Sequence, residues 1–354
     1  MTELLVGTKK GLFVLAGEPG AGFRIQARAF PGEPVDYAVR DARTGRAFAA
    51  TTSPFYGPKI WFAEDAAGEW SQAEGVELPA GANAALERIW VIAAGEKDGR
   101  LYAGGDPGVL FQSDDGGESW QLNQALWEHP TRPDWQPGGG GLCLHSIVPW
   151  PGEPDRLTIA ISAAGVWHTE DDGRSWRKGN RGLGARYLPE VGQEETTAFC
   201  VHHLERAPQR PERLFMQFHG GVYRSDDAGE SWSEIGAPLP SDFGFPLVID
   251  PADPDSAYVI PLVADMDRVT PDACVRVYET RDAGVSWQAR GEGLPSADAY
   301  LTVLRLAFAR RGQGPAMELY FGSTTGEVYG STDAGGRWQT IAPLLPPVYA
   351  LSAS

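Results

Sequence analysis

The sequence contains few cysteines, a deficit of basic residues and no long apolar run. Three cysteines, an odd number, do not suit the disulfide framework of a small secreted protein. Lysine and arginine number 30 against 47 acidic residues, and the net charge of -17 argues against nucleic acid and anionic membranes as partners. The N-terminus lacks the pattern of a secretory signal, and no segment has the length of a membrane-spanning helix. We therefore expect a cytoplasmic protein.

One short motif occurs six times at regular spacing. Four copies fit the pattern S/T-x-D-x-G-x-S/T-W, and two others keep only part of it. The tryptophans that end successive copies lie 50 to 56 residues apart. A period of this size indicates a repeat architecture in which each unit is one supersecondary element. The copies end at Trp70, Trp120, Trp176, Trp232, Trp287 and Trp338.

Each repeat contains four predicted strands. A short strand with an aromatic residue, such as GVYRS at Gly221–Ser225, precedes the motif, two apolar strands come before it, and a fourth carries the tryptophan onward. Four antiparallel strands in each of several repeated units predict the blades of a β-propeller. Glycine and proline, at 44 and 28 residues, supply the turns that such a fold needs.

The two ends of the chain together predict a seventh blade. The segment LLVGTKKGLFVL near the start matches the second and third strands of the other repeats, and PPVYALSAS at the end has the character of a first strand. Pairing of these ends closes the ring and removes exposed sheet edges. We predict an all-β, seven-bladed β-propeller that is monomeric and forms a single domain over residues 1–354, with one blade shared by residues 1–26 and 347–354.

The aspartate of each motif is interpreted as structural. Its side chain can accept backbone N–H groups in a tight turn, while the glycine adopts a positive φ. Because every blade needs the same turn, this role is more typical of the motif than metal binding or catalysis. The residues concerned are Asp65, Asp115, Asp171, Asp227, Asp282 and Asp333.

The motif resembles the Asp-box, or bacterial neuraminidase repeat, of β-propellers. Stretches such as GGVYRSDDAGESW and LPSDFGFPLVIDP are similar to bacterial proteins labelled sialidase or glycosyl hydrolase. The resemblance to sialidases implies an arginine triad, a Tyr/Glu pair, an aspartic acid and an early F-R-I-P sequence. Here FRIQ at Phe23–Gln26 lacks the proline and falls on a predicted outer strand, so Arg24 is either a sialidase arginine or an exposed one. Asp-boxes imply a fold shared by many functions.

Three long segments predict the binding face. Residues 121–141, 177–197 and 263–273 exceed the length that ring closure requires, and long loops often carry function. By propeller topology they lie at one end of the ring, opposite the Asp-boxes. We expect a small molecule, a glycan or a partner protein to bind there.

Alignment of the first strands places seven side chains at similar positions beside the central channel. Such a set can line a small-molecule pocket, or it can simply fill the channel. The residues are Tyr37, Trp90, His145, His202, Phe245, Arg305 and Tyr349.

Two of these strands contain Cys-x-His, which suggests a divalent metal as an alternative ligand. Residues two apart on a strand share a face, so Cys143 with His145 and Cys200 with His202 could each present sulfur and nitrogen together. The alternative interpretation is that the cysteines are buried hydrophobic residues. Supplementary ligands are His129, His203 and His219.

The sequence leaves three functions open. The first is a binding module without an essential cofactor, the second is a sialidase-like glycoside hydrolase, and the third is a metal-dependent hydrolase or lyase at His145 and His202. Glycoside hydrolysis needs two nearby carboxyl groups, and no pair identifies itself. The loop candidates are Asp134, Glu190, Glu194, Glu195, Asp242, Asp265, Asp267 and Asp298.

Overall fold

The protein forms a ring of small antiparallel sheets. The structure is a computed structural model that describes residues 1–186 and 196–354. Within these ranges the chain contains 28 strands in seven four-stranded sheets. The helix α1 (Gln124–Trp127) and three 3-10 turns, at Arg132–Asp134, Pro271–Ala273 and Gly314–Ala316, lie outside the sheets. No described helix has the length and apolar character required to cross a bilayer. The predicted all-β, seven-bladed β-propeller is therefore confirmed.

The blades follow one another along the chain and are numbered from the N-terminus. In blade 1 the order from the channel outward is β28, β1, β2, β3, and every other blade runs outward in chain order. Blade 1 contains β1 (Thr2–Thr8), β2 (Gly11–Glu18), β3 (Gly22–Ala29) and β28 (Val348–Ala353). Blade 2 contains β4 (Val35–Arg40), β5 (Ala47–Ser53), β6 (Gly57–Ala63) and β7 (Ser71–Gln72). Blade 3 contains β8 (Arg88–Ala94), β9 (Leu101–Asp106), β10 (Val109–Ser113) and β11 (Gln121–Leu122).

The remaining blades repeat this plan with longer inner strands in two cases. Blade 4 contains β12 (Cys143–Trp150), β13 (Glu153–Ser162), β14 (Gly165–Thr169) and β15 (Arg177–Lys178). Blade 5 contains β16 (Val201–Arg206), β17 (Leu214–Phe218), β18 (Gly221–Ser225) and β19 (Ser233–Glu234). Blade 6 contains β20 (Phe243–Asp250), β21 (Asp253–Leu262), β22 (Val277–Thr280) and β23 (Gln288–Arg290). Blade 7 contains β24 (Phe308–Arg311), β25 (Glu318–Gly322), β26 (Val328–Ser331) and β27 (Trp338–Ala342).

The chain ends close the ring as predicted. β28 pairs antiparallel with β1, with Leu4 opposite Ala353 and Val6 opposite Leu351. The first strands of neighbouring blades contact one another all the way round, including β28 with β4 and β24 with β28. Because each blade packs between two others, its middle strands are buried on both faces and read as apolar runs. The core is therefore a set of inter-blade layers around a central channel.

The two ends of the ring differ in their connections. The loops between blades and those between second and third strands lie at one end, which we call the long-loop face. The turns between first and second strands lie at the other end, together with the turns that carry the S/T-x-D-x-G-x-S/T-W motif or its remnant. We name these turns Asp-box turns after the resemblance of their sequence, and we name this end the Asp-box face. Residues 121–141 and 263–273 belong to the long-loop face by this topology, whereas part of 177–197, including Glu190, Glu194 and Glu195, lies outside the described residues.

The Asp-box side chains bond within their own turns. Asp227 accepts hydrogen bonds from the Ser225 hydroxyl at 2.8 Å and from the Ser231 backbone N–H at 2.8 Å. Gly229 in the same turn has a φ of 91°. The hydroxyl group of Ser175 donates to the equivalent Asp171 at 2.6 Å and, together with other hydrogen bonds in the turn, lowers its pKa to about 2. Similar bonds form at Asp115, Asp282 and Asp333, while Asp65 accepts only from the Ala67 N–H.

Five of the six Asp-box tryptophans also join their blade to the preceding one, three through the backbone N–H and Trp176 and Trp287 through the indole N–H. The Trp232 backbone N–H donates to the Arg181 carbonyl at 2.9 Å, and the N–H groups of Trp120 and Trp338 bond in the same way to the preceding blade. The next residue after Arg181 is Gly182, with a φ of 84°, and a Cβ atom there would lie 2.4 Å from the Trp232 oxygen. This close approach requires glycine. The motif therefore links blades as well as shaping turns.

Candidate functional site

A β-bulge recurs where the innermost strands enter the channel from the long-loop face. In five innermost strands one residue is left unpaired with the neighbouring strand, and in β20 two residues are left unpaired. A bulge re-aims side chains and is frequent beside functional sites. The unpaired residues are Asp36, Trp90, His145, His202, Phe245 with Pro246, and Tyr349. The sequence alignment had placed five of these together correctly.

Tyr37 is the exception in that alignment. The unpaired residue of β4 is Asp36, whereas Tyr37 pairs with Ala50 and faces a cavity nearer the Asp-box face. Burial and the charge of Glu205 raise the pKa of Tyr37 to about 12. The prediction was one residue out because a bulge adds one residue to a strand without a distinct sequence signal. In blade 7 the corresponding side chain, Arg305, lies just before β24.

The side chains at these bulges, together with Arg305, surround the channel at one level, which we call the bulge layer. Arg305 is the central cation of this layer. Its guanidinium lies 5.0 Å from the Trp90 ring centre and 5.6 Å from that of Phe245. Only 8% of the residue is exposed, and its Nη1 atom has no hydrogen-bond partner within residues 1–186 and 196–354. Among the described residues, no carboxylate forms an ion pair with it. Arg305 also interacts with Cys143, whose pKa burial nevertheless raises to about 12. A buried guanidinium held between two aromatic rings is suited to binding an anion.

Two acids, the buried Asp36 and the half-buried Asp106, were not anticipated from the sequence. Asp36 is 4% exposed, accepts a hydrogen bond from Thr52 and lies 3.3 Å from the Arg88 guanidinium. Asp106 accepts hydrogen bonds from the Leu142 N–H and the Cys143 thiol. Burial raises the pKa of both carboxyl groups. A motif search misses them because an isolated aspartate on a strand carries no sign of its burial.

The predicted Cys-x-His pairs do not form one metal centre. His145 is fully buried, and both ring nitrogens already have partners, the Ser146 hydroxyl at 2.9 Å and the Val201 carbonyl at 2.8 Å. Burial holds the pKa of His145 well below its ordinary value. The prediction of Cys143 and His145 as ligands is therefore wrong, since neither nitrogen is available and Cys143 interacts with Asp106 and Gly140 instead.

A different group of potential ligands surrounds His202. The ligand atoms of Cys200, His202 and His219 all lie within 4.8 Å of one another. The Nδ1 atom of His202 is 2.6 Å from the Gly244 carbonyl, which leaves Nε2 as the ligand atom. His219 comes from the β17–β18 turn and lies 3.7 Å from Asp265 through Nε2. The described chain thus brings the predicted Cys200 and His202 together with the supplementary residue His219.

Other candidates lie away from this layer. Arg24 is exposed on β3, the outer strand of blade 1, as its position in the repeat indicated. His129 packs against Trp135 and Trp167, and His203 faces the cavity below. Among the proposed hydrolase carboxyl groups, Asp242 pairs with Arg186, and Asp134, Asp265, Asp267 and Asp298 are exposed. A glycosidase acid is instead a carboxyl group shielded from water.

Tyr349 completes the bulge layer from blade 1. It is partly buried, and burial raises the pKa of its hydroxyl group. The nearby charges are Arg88 and Asp36. This side of the channel is therefore polar, whereas Trp90 and Phe245 form its aromatic part.

Comparison with known proteins gives likenesses of fold. No protein-family profile and no curated protein sequence matches the chain. An ancestral GH74 enzyme superposes with a TM-score of 0.58 at 16% identity over 90% of this chain, which spans only 38% of that enzyme. YCF48 bound to a D1 peptide gives 0.55 at 14% identity over 90% of this chain and 84% of the other. Apo AztD from Citrobacter koseri gives 0.56 at 13% identity over 100% and 98%. These proteins share the propeller fold, and identities this low show the fold alone.

Proposed function

We propose that the propeller binds a small organic anion in its central channel, with Arg305 as the anchor. The observation that carries this proposal is the burial of the Arg305 guanidinium without a carboxylate partner in the described residues. Burying a charge is costly unless it is paired. An anionic ligand supplies the negative charge that pairs with Arg305. The folded protein therefore favours anions at this site.

The surroundings of Arg305 favour a planar carboxylate. The rings of Trp90 and Phe245 support the guanidinium, and a guanidinium can donate two parallel hydrogen bonds to a carboxylate. A second cation, Arg268, lies 5.2 Å from the Phe245 ring and is exposed on the long-loop face. The two arginines give an acidic protein a local positive region that attracts anions into the channel mouth.

Calorimetric titration with a panel of anions tests this function. The panel contains acetate, benzoate, inorganic phosphate, N-acetylneuraminic acid and a short peptide with a free C-terminus. We expect a carboxylate to bind, and Arg305→Gln to weaken its binding at least about 30-fold, the effect of about 2 kcal/mol lost from a buried charge pair. Arg24→Gln is the matched control, because that arginine is exposed on β3.

Four outcomes are informative. Equal affinity in parent and Arg305→Gln protein contradicts the proposal, as does the absence of binding to every member of the panel. Binding of the neuraminic acid, followed by cleavage of an aryl sialoside, favours the sialidase-like alternative. Preference for the peptide favours a partner protein, the ligand type seen in the YCF48 complex.

A metal site at Cys200, His202 and His219 is the second candidate function. Sulfur and nitrogen ligands of this kind suit Zn²⁺, and the His202–Gly244 contact resembles the outer contacts that orient metal-binding histidines. Three protein ligands leave a coordination position for water or substrate. A metal here, near Arg305, supplies Lewis-acid chemistry for a hydrolase or lyase acting on an anion.

Titration with Co²⁺ tests the metal site directly. We expect one equivalent to bind and to give the charge-transfer absorption of a cobalt thiolate. Cys200→Ser is expected to remove this absorption, while Cys274→Ser, a buried cysteine outside the cluster, is expected to keep it. Less than one tenth of an equivalent bound, or an unchanged spectrum in Cys200→Ser, excludes this candidate.

A further inference from the structure

A second cavity lies on the ring axis nearer the Asp-box face. It has a volume of about 490 Å³, within the range of small-molecule sites, and all seven innermost strands contribute to its wall. The Asp-box end is bordered by Pro149 near the end of β12 and by the turn residues Pro151 and Pro208, and His145 lies at the bulge-layer end. Arg305 does not line it, so this cavity is distinct from the anion site proposed above.

Most of the cavity wall is apolar. Side chains from six strands or their approaches give it this character, and each is aliphatic. They are Val39, Val91, Val148, Val248, Leu306 and Leu351. A molecule that enters this space therefore exchanges water for hydrocarbon contact over most of its surface, which favours a largely apolar body.

Polar residues interrupt the apolar wall, and the guanidinium of one of them, Arg206, is already bound to Thr158 and Pro211. Tyr37, His203, Glu205 and Arg310 all line the cavity. Glu205 lies 3.6 Å from His203 and 3.9 Å from Arg310, which is close enough for charge attraction but too far for a hydrogen bond. The Nδ1 atom of His203 and the Nε atom of Arg310 are buried without a hydrogen-bond partner in the described chain. Polar groups in such a setting ordinarily have partners.

The charges of Glu205 and Arg310 disfavour an ionic ligand in this cavity. Glu205 and Arg310 offset each other, so neither an anion nor a cation gains a net opposite charge. Tyr37 keeps its proton at neutral pH, because its pKa is raised to about 12 by burial and by Glu205. The cavity therefore offers hydroxyl and guanidinium donors together with one carboxylate acceptor. This combination matches a neutral group that both donates and accepts hydrogen bonds.

We propose that this axial cavity is a second binding site, for a neutral molecule with an apolar body and one amide or hydroxyl group. The ligand's N–H or O–H donates to Glu205, and its oxygen accepts from Tyr37 or Arg310. The site opens toward the Asp-box face. The protein thus has two ligand sites on one axis that differ in charge preference.

Ligand-observed NMR with three matched probes tests the proposal. Benzamide carries the expected amide, toluene lacks a polar group, and benzoate carries a charge. In the Arg305→Gln background, which removes the proposed anion site, we expect benzamide to bind at least tenfold more tightly than the other two. Glu205→Ala is expected to remove this preference, and Ala93→Phe, which fills the cavity, is expected to abolish benzamide binding.

Two controls make the result specific. Ala297→Phe adds the same ring at an exposed loop and is expected to leave benzamide binding unchanged. Arg305→Gln is also expected to leave benzamide binding unchanged, so the experiment tests the two proposed sites independently. Unaltered benzamide binding in the correctly folded Ala93→Phe protein overturns the proposal. Benzoate binding in the cavity as tight as that of benzamide overturns the neutral preference.

Discussion

Removal of residues 347–354 is expected to abolish cooperative folding. The deletion takes away β28, whose Val348, Ala350 and Leu351 are at most 3% exposed and pack in the inter-blade core. It also leaves the β1 edge unpaired and opens the ring between blades 7 and 2. An open edge and an exposed apolar layer together favour aggregation. Urea unfolding followed by tryptophan fluorescence is expected to lose its single sharp transition.

A circular permutant is the matched control for this deletion. Glu3 and Ser354 exchange backbone hydrogen bonds of 3.0 Å in each direction, so a short linker can join the natural ends. New ends placed between Asn83 and Ala84, in an exposed loop, keep every strand in the ring. The permutant is expected to fold cooperatively. A deletion variant with an unfolding transition as sharp as that of the parent would show that ring closure is dispensable.

Acidification from pH 7 to pH 5 is expected to destabilise the protein strongly. Burial lowers the pKa of His168 to about 4 and that of His145 well below its ordinary value. Below pH 6.5 the unfolded chain takes up protons that these folded histidines exclude, so stability falls as the pH falls toward 4. For His168 alone the loss at pH 5 is about 2 kcal/mol, and the lowered pKa of His145 acts in the same direction.

The slope of stability against pH isolates the histidine contribution. His168 contacts the Thr158 hydroxyl at 2.9 Å and the Gly229 carbonyl at 3.1 Å, and His168→Gln keeps a polar group in that position. Between pH 6.5 and 4 the free energy of unfolding is expected to change less steeply with pH in the variant than in the parent. The difference in slope is up to about 1.4 kcal/mol per pH unit. Asp36 and Asp106, whose pKa values are raised, act in the opposite direction in both proteins. Parallel curves for parent and variant would contradict this assignment.

The sequence predicted the repeat well because the repeat is a local, periodic signal. The tryptophan spacing and the strand patterns around it gave the blade number, and the terminal segments gave the closure through β28. The same periodicity located Trp90, His145, His202, Phe245 and Tyr349 beside the channel. In these cases turn chemistry and strand alternation determine position, and both are visible in the chain itself.

The chemistry of the channel was less accessible from the sequence. Asp36 was missed because its bulge shifts β4 by one residue, and Asp106 because burial depends on the neighbouring blade. His145 was misjudged as a ligand because its partners, Ser146 and the Val201 carbonyl, come from the fold around it. Contacts between blades decide which polar groups remain available, and a single-strand pattern does not contain them.

The backbone bonds from Trp120, Trp232 and Trp338 to the preceding blades have a consequence for assembly. The carbonyl of Arg181, at the exit of blade 4, is not bonded until Trp232 of blade 5 is in place, and the Glu74–Trp120 and Glu292–Trp338 pairs repeat this relation. During synthesis blades 2, 4 and 6 therefore lack this bond until the next blade has been made. Blade 1 waits longest, for the final strand at Val348–Ala353. Gain or loss of a single repeat must therefore preserve both the bonds between successive blades and the pairing of the two chain ends.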